Sequence, residues 1–228
     1  MRQRVHSIGE MIDVKQFSDG PQEKEGEVGR VYRLLKSCLI ECDFAPGELL
    51  AEVKLARRCN TSRTPVREAC NRLVQEGWIV SLRNRGYQVT PVSIKELFET
   101  YEYRKLLECF TAEKAAHIAT SAQLIHLRDL VMIETDHTAE VGKIIESSDA
   151  FHIAVAEIAG NNQVTAHLRA TLERQYRLDR LSTQKERSWI PHGEILAALE
   201  ARRPSEARLA MATHIDYARD RMLRLFAT

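Results

Sequence analysis

The chain has 228 residues, room for one large domain or two small ones at roughly 100–200 residues each. Its 33 basic and 32 acidic side chains leave a net charge of +1, which excludes a uniformly polybasic nucleic-acid coat but not a local basic face. A 44% hydrophobic and 29% charged composition excludes wholesale disorder, and no apolar run approaches the roughly 18 residues of a membrane span.

Only 10 glycines and 6 prolines favour helices over a strand-and-turn fold. Met1 to Glu10 lacks the apolar core of a signal peptide, so the expectation is a cytoplasmic protein with no membrane partner. The five cysteines, Cys38, Cys42, Cys59, Cys70 and Cys109, are odd in number and irregularly spaced, which is no disulfide framework. Cys38 and Cys42 are read as two small residues on one face of a reduced helical core, with half a metal site as the alternative. Residues 26–90 hold eleven basic and seven acidic side chains, net +4, whereas residues 91–228 hold eighteen and twenty, net −2. That asymmetry divides the chain into a segment facing a polyanion and a second, mildly acidic domain.

Residues 1–25 have no sustained periodicity and contain Asp19-Gly20-Pro21, which reads as a flexible N-terminal arm. From Glu27, Val28, Val31, Tyr32, Leu34, Leu35, Cys38 and Leu39 recur at helical steps until the turn at Pro46-Gly47. A short second helix is expected around Leu50, Val53, Leu55 and Ala56, ending near Asn60. Ser62 is suited to cap a third helix with Pro65 in its first turn and Gly77 as its stop. Val66, Ala69, Cys70, Leu73 and Val74 form its buried stripe, leaving Arg63, Thr64, Arg67, Asn71 and Arg72 outside. After Gly77 the period changes: Trp78–Leu82 and Tyr87–Thr90 read as strands joined by the turn Arg83-Asn84-Arg85-Gly86. A capped helix with a basic first turn, followed by a hairpin with a basic tip, is the layout of a winged helix-turn-helix that reads duplex DNA. An amphipathic helical domain with solvated arginines is the alternative.

These residues carry a resemblance. Glu48-Leu49-Leu50, Glu52, Leu55-Ala56, the run Ser62 to Ala69 (SRTPVREA), Leu73, Glu76-Gly77 and Arg85-Gly86 resemble the winged-helix domain of GntR-family transcription regulators over residues 26–90. The resemblance implies DNA contacts from Arg63, Thr64 and Arg67 on the recognition helix and from Arg83, Asn84, Arg85 and Gly86 in the wing. Val53 stands where some members carry a DNA-contacting arginine.

From Ser93 the sequence reads as six helices forming an all-α bundle. Ile94, Leu97, Phe98, Tyr101, Leu106, Leu107, Phe110 and Ala115 are expected to line one long stripe; Leu124, Leu127, Leu130, Val131 and Ile133 mark the next helix. Asp149 and His152 share a helix face, with His192 near the start of the fifth helix and His214 within the sixth. Three imidazoles and a carboxylate converging in a bundle would suit a transition metal, and Arg104, four residues before Glu108, could clamp a carboxylate ligand. Surface histidines and an ordinary i,i+4 ion pair are the plainer reading of the same residues.

Arg104 with Leu107-Glu108, Phe151-His152, Gly160-Asn161, His192-Gly193-Glu194-Ile195 and Met211 to His214 look like the FCD ligand-binding domain of the FadR subfamily of GntR regulators over about residues 93–226, within a domain expected at residues 91–228. The resemblance implies a divalent metal (Zn or Ni/Mn) on Asp149, His152, His192 and His214, and a small organic acid effector held by Arg104 and Asn161. The family places the aspartate where this chain has Ser148, so Asp149 is one step off. The fold expected is thus mainly α, a winged helix-turn-helix with a small β-hairpin wing plus an all-α bundle. The function expected is that of a homodimeric, effector-responsive repressor on an inverted-repeat DNA operator. A metal-dependent enzyme is the rival, opposed by the third of the chain given to the winged helix and by the want of a clear general base. An inert dimerisation bundle is the third reading.

Overall fold

The computed structural model describes residues 26–136, 138–181 and 192–226. The expected arm at residues 1–25 lies outside the described residues. In chain order the elements are α1 (Glu27–Ile40), β1 (Leu49–Leu50), α2 (Glu52–Arg58), α3 (Arg63–Gln75), β2 (Ile79–Leu82), β3 (Gly86–Val89), α4 (Ile94–Ile118), α5 (Ser121–Thr135), α6 (Val141–Ile158), α7 (Asn162–Leu181), α8 (Gly193–Glu200) and α9 (Pro204–Phe226). No helix among the described residues is long and apolar enough to cross a membrane.

The N-terminal unit buries Val31, Leu35 and Leu39 of α1 against Val66, Ala69, Cys70 and Leu73 of α3, the stripe that the periodicity marks. Val53, expected among the apolar positions of α2, is 46% exposed instead. Asn60 takes a left-handed backbone (φ 49°) between α2 and α3, a conformation that asparagine tolerates better than most residues. Gly77 (φ 77°) ends the α3 turn and releases the chain into the wing. The three strands form an antiparallel sheet ordered β1-β3-β2, with Leu50 opposite Tyr87 and Leu82 opposite Gly86. Leu50 therefore belongs to a strand and not to the second helix. A two-residue strand has no period of its own; it exists because Gly86 lets the chains approach. A Cβ at Gly86 would stand 2.4 Å from the Leu50 carbonyl oxygen, and its φ is +90°. Cys38 is buried in α1, but Cys42 lies beyond the helix end with φ 61°, so the two do not share a helix face.

Among the described residues, the C-terminal unit contains the six expected helices. α4 and α9 run antiparallel and are joined by Lys105–Asp216 and Arg208–Glu113 ion pairs at 2.5 and 2.9 Å. Its core gathers Leu97, Tyr101, Ala112, Leu127, Phe151, Leu199 and Met211. The apolar residues of α4 divide between two environments: Leu97, Tyr101 and Ala115 are buried, whereas Ile94, Phe98, Leu106 and Phe110 are exposed, Leu106 to 72%. Ile133 of α5 is likewise half outside. Apolar character alone had marked these positions; their angular places on the helices set them away from the core.

The two units meet through α7. The Lys36 ammonium lies 2.8 Å from the Glu173 carboxylate, and Arg177 donates to the Thr90 carbonyl at 2.7 Å. Arg174 donates to the Glu76 carbonyl. Trp78, 2% exposed, has the Lys36, Arg174 and Arg177 cations within 5.9 Å of its ring, and such cation–π contacts gain when desolvated.

Candidate functional site

Helix α3 begins at Ser62, whose backbone is extended as a cap requires, but the Ser62 side chain makes no cap bond. Arg63, Thr64 and Arg67 lie exposed on the first turns of this helix. Glu52 at the start of α2 gathers both guanidinium groups: Arg63 Nη2 and Arg67 Nη2 donate to its Oε2 at 2.9 and 3.0 Å, and Arg67 Nε donates to its Oε1 at 3.1 Å. Those bonds hold the Glu52 carboxyl down at about 2. The pair is thus prepositioned by a carboxylate that a DNA phosphate would have to displace or accompany. Removing that negative charge as Glu52→Gln is expected to raise affinity for non-specific duplex several-fold at low salt and to flatten sequence preference. Unchanged non-specific binding in a fluorescence anisotropy titration would contradict the arrangement.

At the wing tip Arg83, Asn84 and Arg85 are exposed, and Asn84 adopts φ 61° to close the turn. Two guanidinium groups so placed can reach a phosphate or a minor groove beside the helix. Gly86, expected among the DNA contacts, also admits β1 as described above.

The second cluster lies inside the bundle. α4 supplies Arg104 and Glu108, α5 Glu134, α6 His152, α7 Gln175 and α9 His214, while His192 occupies the cap position before α8. His192 Nε2 lies 3.0 Å from His152 Nε2 and 3.1 Å from His214 Nε2. The three imidazoles place one ligand atom each within 4.8 Å of the others. His192 Nδ1 is 2.7 Å from Glu134 Oε1, and the His192 amide donates to Glu134 Oε2 at 3.2 Å. His152 Nδ1 faces Glu108 Oε2. Glu134 at Nδ1 of His192 fixes the tautomer that leaves the His192 Nε2 as a lone pair, the outer arrangement usual for metal-binding histidines. That lone pair faces the Nε2 atoms of His152 and His214 at 3.0 and 3.1 Å, and the His152 Nε2 also lies 3.1 Å from an Arg104 donor. A cation would satisfy them, so these residues fit a divalent metal. Burial pushes His152 down to about 4 and His192 to about 3, and His214 lies well below its usual value. All three are therefore neutral ligands at neutral pH.

Arg104 is 1% exposed. Its Nε donates to Glu108 at 2.6 Å, one terminal nitrogen donates to Gln175 and the other donates to His152 Nε2 at 3.1 Å. Burial alone would raise Glu108, but the charge of Arg104 and the contact with His152 hold it at about 2. Burial also pushes Glu134 up to about 7. The result is a cationic group at the edge of a histidine cluster, suited to a ligand carboxylate.

Two expected members stand apart. Asp149 is half-buried and its charge favours ionised Arg104, but it does not join the three imidazoles within 4.8 Å. One residue of register on a helix is about 100° of rotation, enough to turn a side chain from a shared site. Asn161 caps α7: its Oδ1 accepts from the Gln163 and Val164 amides at 3.2 and 3.3 Å. Glu134 and Gln175 were not foreseen. Helices α5 and α7 carry several polar residues each, and only the tertiary fold brings these two to the cluster.

Comparison with known proteins agrees with both units. Residues 28–89 match the gntR family of bacterial regulatory proteins, and residues 99–217 match the FCD domain. The Nta operon transcriptional regulator of Aminobacter aminovorans is 31% identical over 185 residues, spanning 80% of this chain and 88% of that one. The Uxu operon transcriptional regulator of Escherichia coli K12 is 30% identical over 225 residues, with 86% of each chain covered. Among solved structures, E. coli McbR/YncC superposes with a TM-score of 0.74 at 21% identity, covering 89% of this chain and 99% of its own. A GntR regulator from Rhodococcus sp. RHA1 gives 0.69 at 21% identity, covering 86% and 97%. These two share the fold. The chain belongs to the GntR family of bacterial transcription regulators, joining a gntR-type DNA-binding domain to an FCD domain, and it is a regulator, not an enzyme.

Proposed function

We propose that this regulator is a cytoplasmic homodimeric repressor that binds an inverted-repeat operator and changes its affinity when a small organic acid occupies the bundle. The winged helix would read one half-site through Arg63, Thr64 and Arg67, with Arg83, Asn84 and Arg85 on the backbone beside it. His152, His192 and His214 would hold a divalent metal (Zn or Ni/Mn). When bound, that ion supplies a Lewis-acidic centre for a carboxylate oxygen. Arg104 would orient the rest of the carboxylate through its guanidinium fork.

One observation carries the link between the sites. Gln175 accepts from Arg104, and its neighbours Arg174 and Arg177 on α7 hold the carbonyls of Glu76 and Thr90 in the DNA-binding unit. A ligand that draws Arg104 away from Gln175 acts directly on the helix that grips the winged domain. A coupling of 1–3 kcal/mol is typical, roughly a 5- to 150-fold change in operator affinity. The test is an operator-binding titration with zinc and a panel of small mono- and dicarboxylic acids. The reading expects at least one acid to shift affinity within that range; failure of every acid, with zinc bound, would overturn it. Arg174→Ala is expected to leave basal operator affinity within about twofold and to shrink the acid's effect by roughly tenfold, since it loosens the grip without touching ligand or DNA. An undiminished response in the same titration would refute the α7 route.

A further inference from the structure

Cations in the winged unit are unevenly paired. Arg30 is held by Glu27 at 2.6 Å, Lys36 by Glu173 at 2.8 Å and Arg58 by Asp43 at 2.7 Å. Glu52 takes Arg63 and Arg67 together, so that trio keeps one net positive charge. Five other cations, Lys54, Arg57, Arg72, Arg83 and Arg85, are exposed, and among the described residues none of them makes an ion pair or a side-chain hydrogen bond. Arg83 and Arg85 form the wing tip. Lys54 and Arg57 lie on α2, where Arg57 differs from its neighbour: Arg58 packs on the Phe44 ring at 4.9 Å while it bonds Asp43.

The start of α2 lies between the wing and the recognition helix. On one side, a Cβ at Gly86, at the base of the wing tip, would stand 3.4 Å from the Ala51 Cα. On the other, Glu52 bonds both Arg63 and Arg67. Leu55 and Ala56 bury the inner side of α2. Lys54 and Arg57, three residues apart, share the outer side with about 5–6 Å between their Cβ atoms. With seven residues α2 is about 10 Å long, so neither charge is far from the seam between wing and recognition helix. Glu52 is the one acidic residue of α2 and is already bonded to two guanidinium groups, so no free carboxylate of this helix opposes a phosphate.

We infer that the outer side of α2 is a third DNA surface, on which Lys54 and Arg57 bind phosphates flanking the bases that α3 faces. With α3 in the groove, the helix beside it meets the backbone, which fixes position and adds affinity without reading sequence. The inference rests on the DNA-reading arrangement proposed above and adds a surface to it. It also shifts where the electrostatic attraction comes from. The Glu52 trio offers one net charge and the wing tip two; α2 offers two more.

Fluorescence anisotropy across a salt series tests it on the full chain, with circular dichroism as a check on folding. Two duplexes are used, one carrying the sequence that wild type recovers from a random pool and one of mixed sequence. The double variant Lys54→Gln/Arg57→Gln changes only exposed, unpaired side chains. It is expected to weaken both duplexes alike, by roughly tenfold or more at low salt. The slope of log affinity against log salt is expected to fall by about 0.9 per lost contact, about 1.8 per winged unit. The sequence recovered from the pool is expected to stay the same. Arg72→Gln is the control: five residues beyond Arg67, it lies about 140° round α3 and removes a charge without removing a contact. An unchanged slope in the double variant, or an equal fall per charge in Arg72→Gln, would overturn the α2 surface and leave DNA binding by α3 and the wing standing. Weakening confined to the selected sequence would overturn the phosphate role. A wild type that binds neither duplex would overturn the DNA-reading arrangement itself and this surface with it.

Discussion

Replacing Arg104 by alanine is expected to cost about 3–5 kcal/mol of folding stability, because it strands a buried carboxylate. Glu108 is fully buried, and its carboxyl is kept ionised by Arg104 and by contact with His152. Without the guanidinium, Glu108 must either take up a proton or remain charged without its partner. Gln175 and the Nε2 lone pair of His152 would lose a donor as well. The measurement is denaturant unfolding of wild type and variant, followed by far-ultraviolet circular dichroism. A loss under about 1 kcal/mol would show that the pair is far better solvated than its burial implies. The alanine variant is therefore a poor test of effector recognition, since loss of response would follow from loss of structure. Arg104→Lys is cleaner: it keeps the positive charge but lacks the planar fork, and is expected to retain most of the stability while losing most of the acid's effect on operator binding.

The second large effect concerns the metal. His192→Ala is expected to weaken zinc binding at least about a hundredfold, as the loss of one of three ligands from a site whose total binding free energy is of order 10 kcal/mol implies. His192 is the central member, in contact with both other imidazoles, so its loss leaves His152 and His214 with no shared partner. Glu134→Ala touches no metal ligand atom but releases the His192 ring, and is expected to weaken zinc roughly 10- to 100-fold. Competition with a chromophoric chelator reads both numbers. Equal affinities for wild type and His192→Ala would mean that the three imidazoles form no metal centre. A loss in His192→Ala with none in Glu134→Ala would restrict the error to the role given to the carboxylate.

What the sequence reveals follows from how local each feature is. The recognition helix is legible because its capping position, first-turn proline, apolar stripe and stop glycine all lie within sixteen residues and satisfy one period. The wing is legible because a change from helical to alternating period is itself local. Strand β1 is not, since a two-residue strand is made by its distant partner β3. In the bundle, the number of helices is readable, but the exposed side of α4 is not. Periodicity says which residues share a face; it does not say whether that face meets its own chain, a second copy or water. The histidines of the site stood out by residue type. Glu134 and Gln175 did not, because a buried carboxylate and a buried amide carry no mark in sequence before the fold encloses them. Asp149 shows the converse: spacing from His152 puts it on nearly the same face, yet it does not join the three imidazoles.

The account as a whole depends on sequence-specific DNA reading by the winged helix. The most direct test is selection from a random duplex pool at a stated salt concentration, run in parallel on wild type and Arg67→Ala. Arg67 is exposed on α3 and held by Glu52, so on the proposed reading its loss is expected to remove about 1–3 kcal/mol of specific binding without disturbing the bundle. The predicted result is one short inverted repeat recovered by wild type and lost or strongly degraded in the variant. Recovery of the same repeat with equal enrichment by Arg67→Ala, or of no preferred sequence by wild type, would contradict it.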